Sequence, residues 1–340
     1  MTDPIRRTIP LGDPPWPTPD PFLFCVHHVD HYPAGNDQLG IDKPALRGRR
    51  MGSDFSGKDG WSMYHGDIVP GFPRHPHRGF ETVTVVRRGY IDHSDSLGGT
   101  ARYGGGDCQW MTAGSGIVHS EMFPLVRPDA PNPAELFQIW LNLPARSKMC
   151  DPYFTMLWHE SIPEHHFTDD AGRRTTVVTM AGSIGEEAPP SPPPESWASQ
   201  PDAEVAIWTI AMEAGATFTL PGTTKGLNRW LYVHAGGTVS VAGRTVRTPT
   251  AVDVLSRLDV EITAGIEPVD ILLLQGRPIG EPVAKHGPFV MNTRAELIQA
   301  YEDYQRTGFG GWPWPRDDFA HPREEGRFAK HPSGKVERRG

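Results

Sequence analysis

The sequence predicts an all-β protein with two related β domains and a single helix near its C-terminal end. The 340 residues include 37 Gly and 35 Pro, about a fifth of the chain, which is typical of short strands joined by tight turns. Apolar, β-branched segments recur along the chain, separated by turn residues at intervals of about eight to twelve positions. The segments "ETVTVVRRGYI" and "RWLYVHAGGTV" both consist of a strand, a glycine turn and a return strand, which indicates an internal duplication.

The first β domain is predicted within residues 1–185. Its first seventy residues are mostly irregular, and strongly β-type sequence begins with Glu81–Asp95. Glycine clusters in Leu97–Met122 predict hairpin turns, and Glu135–Pro144 predicts a strand that ends at a proline.

A proline-rich segment, residues 186–202, follows and predicts a stiff linker or surface loop between the domains. Residues 203–310 are then predicted to form the second β domain. Its strand-like segments have the spacing of a sandwich or barrel: Glu204–Pro221, Asn228–Val246 and Val269–Pro278.

The one predicted helix lies in Asn292–Gly308. Thr293 and Glu296 have the spacing of a capping box, and Gly308 supplies a helix-ending glycine. The remaining residues, 311–340, are rich in Pro, Gly and charge and predict an irregular tail.

Composition and charge exclude several classes of function. With 33 basic and 41 acidic residues the net charge is −8, which argues against direct nucleic-acid binding. Three cysteines, Cys25, Cys108 and Cys150, show no CxxC spacing, so a disulfide framework is not expected. Neither a secretory signal nor an apolar run of the roughly 20 residues that span a bilayer is found, so we expect a cytoplasmic protein without membrane contact.

Four residues form the candidate functional site: His75, His77, His119 and Glu121. Each pair has i, i+2 spacing, which places both side chains on one face of a strand. If both pairs face the interior of one barrel, three imidazoles and one carboxylate converge. Such a set suits one divalent first-row metal, Fe(II) above all, with Mn, Co, Ni, Cu or Zn as alternatives.

Two other interpretations of these residues are open. They could be exposed histidines near strand ends, or a structural zinc site, although no cysteine lies at ligand spacing here. A further cluster, His27, His28 and His31, is interpreted as structural or exposed.

The segments "GFPRHPHRGFETVTVVRRG" and "GGGDCQWMTAGSGIVHSEM" closely resemble the signature of the pirin family, a branch of the cupins, and "EPVAKHGPFVMNT" resembles its C-terminal segment. The similarity extends roughly from Pro21 to Gly310. It implies a bicupin, with two jelly-roll-type antiparallel β-barrels packed together. It also implies one metal, usually iron, held in the N-terminal barrel by the residues that match His75, His77, His119 and Glu121, and no metal in the C-terminal barrel.

The pirin pattern differs from that of ordinary cupins at one ligand. Ordinary cupins take a glutamate from the first motif, which would be Glu81, whereas in pirins the ligand matches Glu121. Glu81 is therefore expected to be structural or to support the ligands. Phe80, Trp110 and Arg78 lie near the motifs and are candidates for contacts with a substrate.

Resemblance to pirins implies quercetin 2,3-dioxygenase-type activity, the oxidative ring cleavage of a flavonol or similar small aromatic by O₂. Glu121 is then both metal ligand and catalytic base. The alternative implied by the family is an iron-dependent, redox-sensing regulator that binds transcription factors or metabolic enzymes. A third interpretation, an enzyme for another small organic substrate, follows from the many chemistries that one fold can support.

Overall fold

The structure, a computed structural model, describes residues 2–340 and divides into two compact domains. The first domain comprises Val26–Trp158 and Glu281–Gly340. The second comprises the residues up to Cys25 together with His159–Gly280. Strands predominate and there is one α-helix, so the predicted all-β class is confirmed.

The elements follow one another along the chain as short strands. They are β1 (Ile5–Pro10), β2 (Phe22–Tyr32), β3 (Gly71–His77), β4 (Phe80–Arg88), β5 (Tyr90–Asp95), β6 (Thr100–Gly104), β7 (Cys108–Thr112), β8 (Ile117–Met122), β9 (Asn132–Asn142), β10 (Tyr153–Leu157), β11 (Glu164–Thr168), β12 (Arg174–Ala181), β13 (Ala206–Met212), β14 (Thr217–Leu220), β15 (Asn228–Ala235), β16 (Thr238–Val241), β17 (Arg244–Arg247), β18 (Thr250–Val254), β19 (Val260–Ala264), β20 (Val269–Gly276), β21 (Ala284–His286), β22 (Phe289–Met291), the helix α1 (Arg294–Thr307), β23 (Arg327–Lys330) and β24 (Val336–Arg339).

The first domain is built from two large antiparallel sheets and the short β21-β22 pair. One has the order β10-β7-β4-β9-β2 and the other the order β24-β23-β6-β5-β8-β3. Side chains from both sheets meet in one buried cluster that includes Val86, Met111, Tyr103 and Ile117. Because successive side chains of a strand point to opposite faces, each strand contributes alternate residues to this interior.

The second domain repeats the two-sheet plan with a different interior. Its sheets have the orders β1-β18-β15-β20-β13-β12-β11 and β14-β19-β16-β17. The interior is filled by a large apolar cluster that includes Phe218, Leu231, Val252 and Ile271. Burial of apolar surface, at about 25 cal/mol per Å², is the main stabilising term for such a packed interior.

Helix α1 begins and ends as the sequence predicts. The Thr293 hydroxyl accepts a hydrogen bond from the Glu296 amide at 3.2 Å, and the Glu296 carboxylate accepts one from the Thr293 amide at 2.8 Å. Gly308 ends the helix in the left-handed conformation, with φ of 56°. No helix within residues 2–340 is long and apolar enough to cross a membrane.

The two domains differ from the predicted boundaries at four places. The predicted first domain, residues 1–185, includes segments at both of its ends that belong to the second domain. At one end β1 pairs with β18, and at the other end β11 and β12 join the sheet that contains β13. Residues 186–202 lie inside the second domain rather than between the domains. Ser196 there is fully buried, and the Trp197 indole N–H donates to the Arg277 carbonyl at 2.9 Å, which anchors the segment.

The third difference concerns the tail, residues 311–340, which was predicted to be irregular. It contains β23 and β24, which extend the sheet of the first domain through pairing with β6. The buried Arg102 holds the tail in this regular structure, because all five of its guanidinium N–H groups donate hydrogen bonds. Two bind the Asp92 carboxylate at 2.7 Å, and the others bind the carbonyls of His321, Pro322 and Glu325 at 2.8–2.9 Å.

The fourth difference concerns residues 281–310, which were predicted to lie in the second domain. From Glu281 onward the chain belongs to the first domain, and it packs beside the end of β3. The Arg78 guanidinium donates to Asp303 of α1 at 2.8 Å, and Lys148 Nζ donates to the carbonyls of Gly79 and Val290 at 2.8 and 3.2 Å. A Cβ at Gly79 would lie 2.0 Å from the Val290 carbonyl oxygen, so only glycine permits this approach.

We therefore predict that Gly79→Ala destabilises the first domain far more than Gly98→Ala. Both glycines have φ of 83°, so each alanine costs about 1–2 kcal/mol for the left-handed backbone. A Cβ at Gly98 meets nothing within 4 Å, whereas at Gly79 it also displaces the returning segment. Urea denaturation of the two variants measures the difference, and equal losses of stability would contradict this packing.

Candidate metal centre

The antiparallel pairing of β3 with β8 brings the two halves of the candidate site together. His75 lies opposite His119 and His77 lies opposite Ile117. An irregularity between Phe72 and His75 interrupts the register, and beyond it Phe72 lies opposite Glu121. The i, i+2 spacing of each pair therefore places the side chains on one interior face, as the sequence predicts.

The three imidazoles converge on one point. The ring centroids lie 4.4 Å apart for His75 and His119, 4.8 Å for His75 and His77, and 4.9 Å for His77 and His119. One ring nitrogen of each residue lies within 4.8 Å of those of the other two, so that the group could hold a single metal ion. The three histidines therefore form a group that could bind a metal, as the sequence predicts.

Two of the imidazoles are oriented by backbone carbonyls. His75 Nδ1 lies 2.8 Å from the Pro73 carbonyl oxygen, and His77 Nδ1 lies 3.4 Å from that of Pro288. An Nδ1–H that donates to a carbonyl leaves the Nε2 lone pair for a metal. The returning C-terminal segment thus orients one of the three histidines.

The protonation of the imidazoles suits metal binding. Burial lowers the pKa of His75 to about 4 and places the pKa of His77 and of His119 well below the ordinary value. For His77 and His119 the neighbouring histidines lower the pKa further. All three are therefore neutral near pH 7, and a metal ligand must be neutral imidazole.

The surroundings of His119 show that a metal fits the group. This side chain is fully buried, and neither ring nitrogen has a hydrogen-bond partner among residues 2–340. A buried polar atom without a partner is costly, so the vacant nitrogen lone pair is consistent with a metal ligand.

Glu121 lies at the edge of the three-histidine group. Its Oε2 is 3.8 Å from His119 Nε2, and the carboxylate is held by the Thr84 hydroxyl at 3.0 Å and the Gln138 amide at 3.1 Å. Burial raises its pKa, while His93, Thr84 and Gln138 act in the opposite direction. A carboxylate that is buried, fixed and beside three imidazoles has the chemistry of a fourth ligand and of a base.

Glu81 lies on the other face of its strand. The Thr112 hydroxyl donates to its carboxylate at 2.6 Å. Glu81 and Thr84 are three positions apart along β4, so their side chains point to opposite faces of the strand. The structure therefore gives Glu81 a role in the sheet rather than in the three-histidine group.

The three candidates for substrate contacts are placed differently. The Phe80 ring lies 5.0 Å from that of His77, so Phe80 belongs to the wall of the site. Trp110 lies opposite Val83 in the pairing of β7 with β4, and therefore on the sheet face away from Thr84 and Glu121. Arg78 is buried against the Ser115 carbonyl, at 2.6 Å, and Asp303, so its charge is used within the fold.

Sequence reasoning missed four residues of the site. Thr84 and Gln138 hold Glu121, and Trp140 lies 5.5 Å from His77 and 4.2 Å from Phe80 between ring centroids. His93 lies opposite Glu121 in the pairing of β5 with β8. Only the alternation along β4, β5 and β9 could have indicated them, and it depends on knowing which face is interior.

No group of three potential metal ligands lies wholly within the second domain, over the part of it that the structure describes. Its interior positions are occupied by Val, Ile, Leu and Phe side chains instead. The two domains thus share an architecture and differ in the chemistry of their interiors.

Comparison with known proteins agrees with the fold and the motifs. Two family descriptions match, Pirin over residues 20–141 and Pirin C-terminal cupin domain over residues 207–310. A "Pirin-like protein" of Caulobacter vibrioides is 40% identical over 245 residues, which are 72% of this chain and 82% of that protein. A "Putative quercetin 2,3-dioxygenase" of Pseudomonas aeruginosa is 36% identical over 70% of this chain and 79% of that protein.

A solved structure gives the same architecture. The crystal structure of quercetin 2,3-dioxygenase from Acinetobacter baumannii superposes with a TM-score of 0.67 at 27% identity, covering 86% of each chain. Together with the two family descriptions, it identifies the two-sheet domains as cupins. The chain belongs to the pirin family and has its bicupin fold.

Proposed function

We propose that the protein is a metal-dependent dioxygenase of the quercetin 2,3-dioxygenase type, acting on a flavonol or a similar small aromatic. The observation that carries the proposal is the convergence of three buried, neutral imidazoles beside the fixed carboxylate of Glu121. The names of the Pseudomonas relative and the Acinetobacter structure support the same reaction class.

The metal in this proposal is one divalent ion, with Fe(II) preferred and Mn, Co, Ni, Cu or Zn as alternatives. His75, His77, His119 and Glu121 would hold it. When bound, a divalent ion with open positions would supply Lewis acidity towards a substrate oxygen and a route for electrons to O₂.

Glu121 is the base in the proposed mechanism. It takes the proton of the flavonol 3-hydroxyl, while Thr84 and Gln138 keep the carboxylate from rotating away. The carboxylate is buried and lies 3.8 Å from His119 Nε2, which places it to accept a proton from a substrate at the three-histidine group. In the overall reaction both atoms of O₂ enter the depside product, C3 leaves with its own oxygen as CO, and the proton passes to the product carboxylate.

The aromatic wall suits a flat substrate. Phe80 and Trp140 lie with centroids 4.2 Å apart beside His77, and the Lys285 ammonium lies 5.0 Å from the Trp140 ring. Aromatic side chains bind planar rings by offset or edge contacts, and a nearby cation favours an anionic substrate. Phe80, Trp140 and Lys285 therefore replace Phe80, Trp110 and Arg78 as our candidates for substrate contact.

One prediction of the proposed function concerns metal binding. Purified protein is expected to bind one divalent ion per chain, and His77→Ala and His119→Ala are each expected to weaken binding by more than about 100-fold, because each removes a direct ligand. Metal analysis after dialysis against a weak chelator measures this. His28→Ala is the control, since His28 is also buried and neutral but packs against Tyr64 and Phe123. Stoichiometric metal in both ligand variants would show that the ligands are misassigned.

Another prediction of the proposed function concerns quercetin turnover. Fe(II)-loaded protein in air is expected to consume quercetin with release of an equal amount of CO. Glu121→Gln should lower kcat by about 100-fold or more, the usual effect of losing a general base. Absorbance of the flavonol and CO release are measured together.

Glu81→Gln is the matched control for this prediction. It makes the same carboxylate-to-amide change on the opposite face of β4 and should leave kcat nearly unchanged. A fully loaded protein without quercetin turnover would contradict the proposed reaction and favour the alternative, an iron-dependent regulator that binds protein partners.

A further inference from the structure

The third histidine of the metal-binding group lacks the outer hydrogen bond that the other two have. His75 and His77 each direct Nδ1 to a backbone carbonyl. In His119 it is Nε2 that lies 3.8 Å from Glu121, so Nδ1 faces away from the carboxylate. With Nε2 bound to a metal, Nδ1 of a neutral imidazole carries a proton, and this buried donor has no acceptor among the described residues.

His93 lies beside His119 and also has a ring nitrogen without a hydrogen-bond partner. It is fully buried, and its ring centroid lies 5.6 Å from that of His119. Its Nε2 lies 3.1 Å from Asp95 Oδ2, whereas its Nδ1 is buried without a partner among the described residues.

Asp95 determines which nitrogen of His93 carries the proton. The other carboxylate oxygen, Oδ1, accepts the amides of Leu97 and Gly99 at 2.8 and 2.9 Å, so the group is fixed as an acceptor. A carboxylate that only accepts requires Nε2–H on His93. In the neutral imidazole His93 Nδ1 is then an acceptor, and its ring centroid lies 5.6 Å from that of His119, which lacks one.

We propose that His93 is a positioning residue for the metal ligand His119, accepting the His119 Nδ1 proton. The inference rests on the proposed metal centre. Strand pairing supports it, because Asp95 lies opposite His119 and His93 opposite Glu121, so all four side chains share the interior face. A chain from Asp95 through His93 to His119 fixes the tautomer and the ring orientation of the ligand.

Asp95→Asn tests this arrangement with minimal change in shape. The Asn carbonyl oxygen can still accept the amides of Leu97 and Gly99, which turns the NH₂ group towards His93 Nε2. His93 must then carry its proton on Nδ1 and present a donor to the donor of His119. Co(II) affinity of the full-length protein, measured by chelator competition, is expected to fall about 10–100-fold.

His93→Leu is the second variant, because it removes the acceptor at similar volume and should also weaken Co(II) binding. Ser94→Ala is the control. Ser94 is equally buried on the same strand, but its hydroxyl lies 3.2 Å from that of Thr100 on the opposite face. Its Co(II) affinity should stay within about twofold of the wild type, since no group of the chain through Asp95, His93 and His119 is changed.

Two further readouts separate positioning from stability. Nitrogen NMR of the imidazoles should report Nε2–H for His93 in the wild type and Nδ1–H in Asp95→Asn. Folded variants with wild-type Co(II) affinity overturn the role of His93, as does an equal loss in Ser94→Ala. Wild-type protein that binds no Co(II) overturns the metal centre itself, and with it both proposals.

Discussion

The register between β3 and β8 is the constraint on which the candidate metal centre depends. Side chains alternate along a strand, so a slip of one residue would turn His75, His77, His119 and Glu121 away from the interior. Two glycines limit such a slip. A Cβ at Gly71 would lie 2.5 Å from the Glu121 carbonyl oxygen, and one at Gly79 would lie 2.0 Å from that of Val290. The backbone is thus held closely at both ends of β3.

The interior of the first domain contains polar side chains that need hydrogen-bond partners, whereas the interior of the second domain is apolar. Thr84 and Gln138 engage both oxygens of Glu121, and two amides engage Asp95. Burial would otherwise make each of these groups costly. The buried interior atoms left without partners include ring nitrogens of His119 and His93, together with Thr82 Oγ1 and Gln109 Nε2. Unpartnered polar atoms that gather around three converging imidazoles are typical of a site that binds a ligand.

The sequence predicted the parts of this protein that depend on local spacing. The spacing of the HxH and HxE pairs predicted that each pair lies on one face of a strand, and Thr293 with Glu296 predicted where the helix begins. Pairings between distant segments could not be predicted in this way. Strand β1 pairs with β18, more than 230 residues along the chain by number. The regular structure of the tail likewise depends on long-range hydrogen bonds from Arg102. Trp110 was misplaced because its orientation follows from the register of β7, which no local pattern specifies.

The tail supports the strand on which the positioning of His119 depends. His93 and Asp95 face the interior from β5, whereas the intervening Ser94 and the preceding Asp92 face outward. On that outer side the His321 amide donates to Asp92 at 2.8 Å, and the Trp314 indole donates to the Asp95 carbonyl at 2.8 Å. Residues 311–340 lie beyond both matched family regions, which end at residues 141 and 310. Because the tail contacts the backbone and the outward side chains of β5, and its Ala329 packs into the interior cluster, it can limit movement of His93.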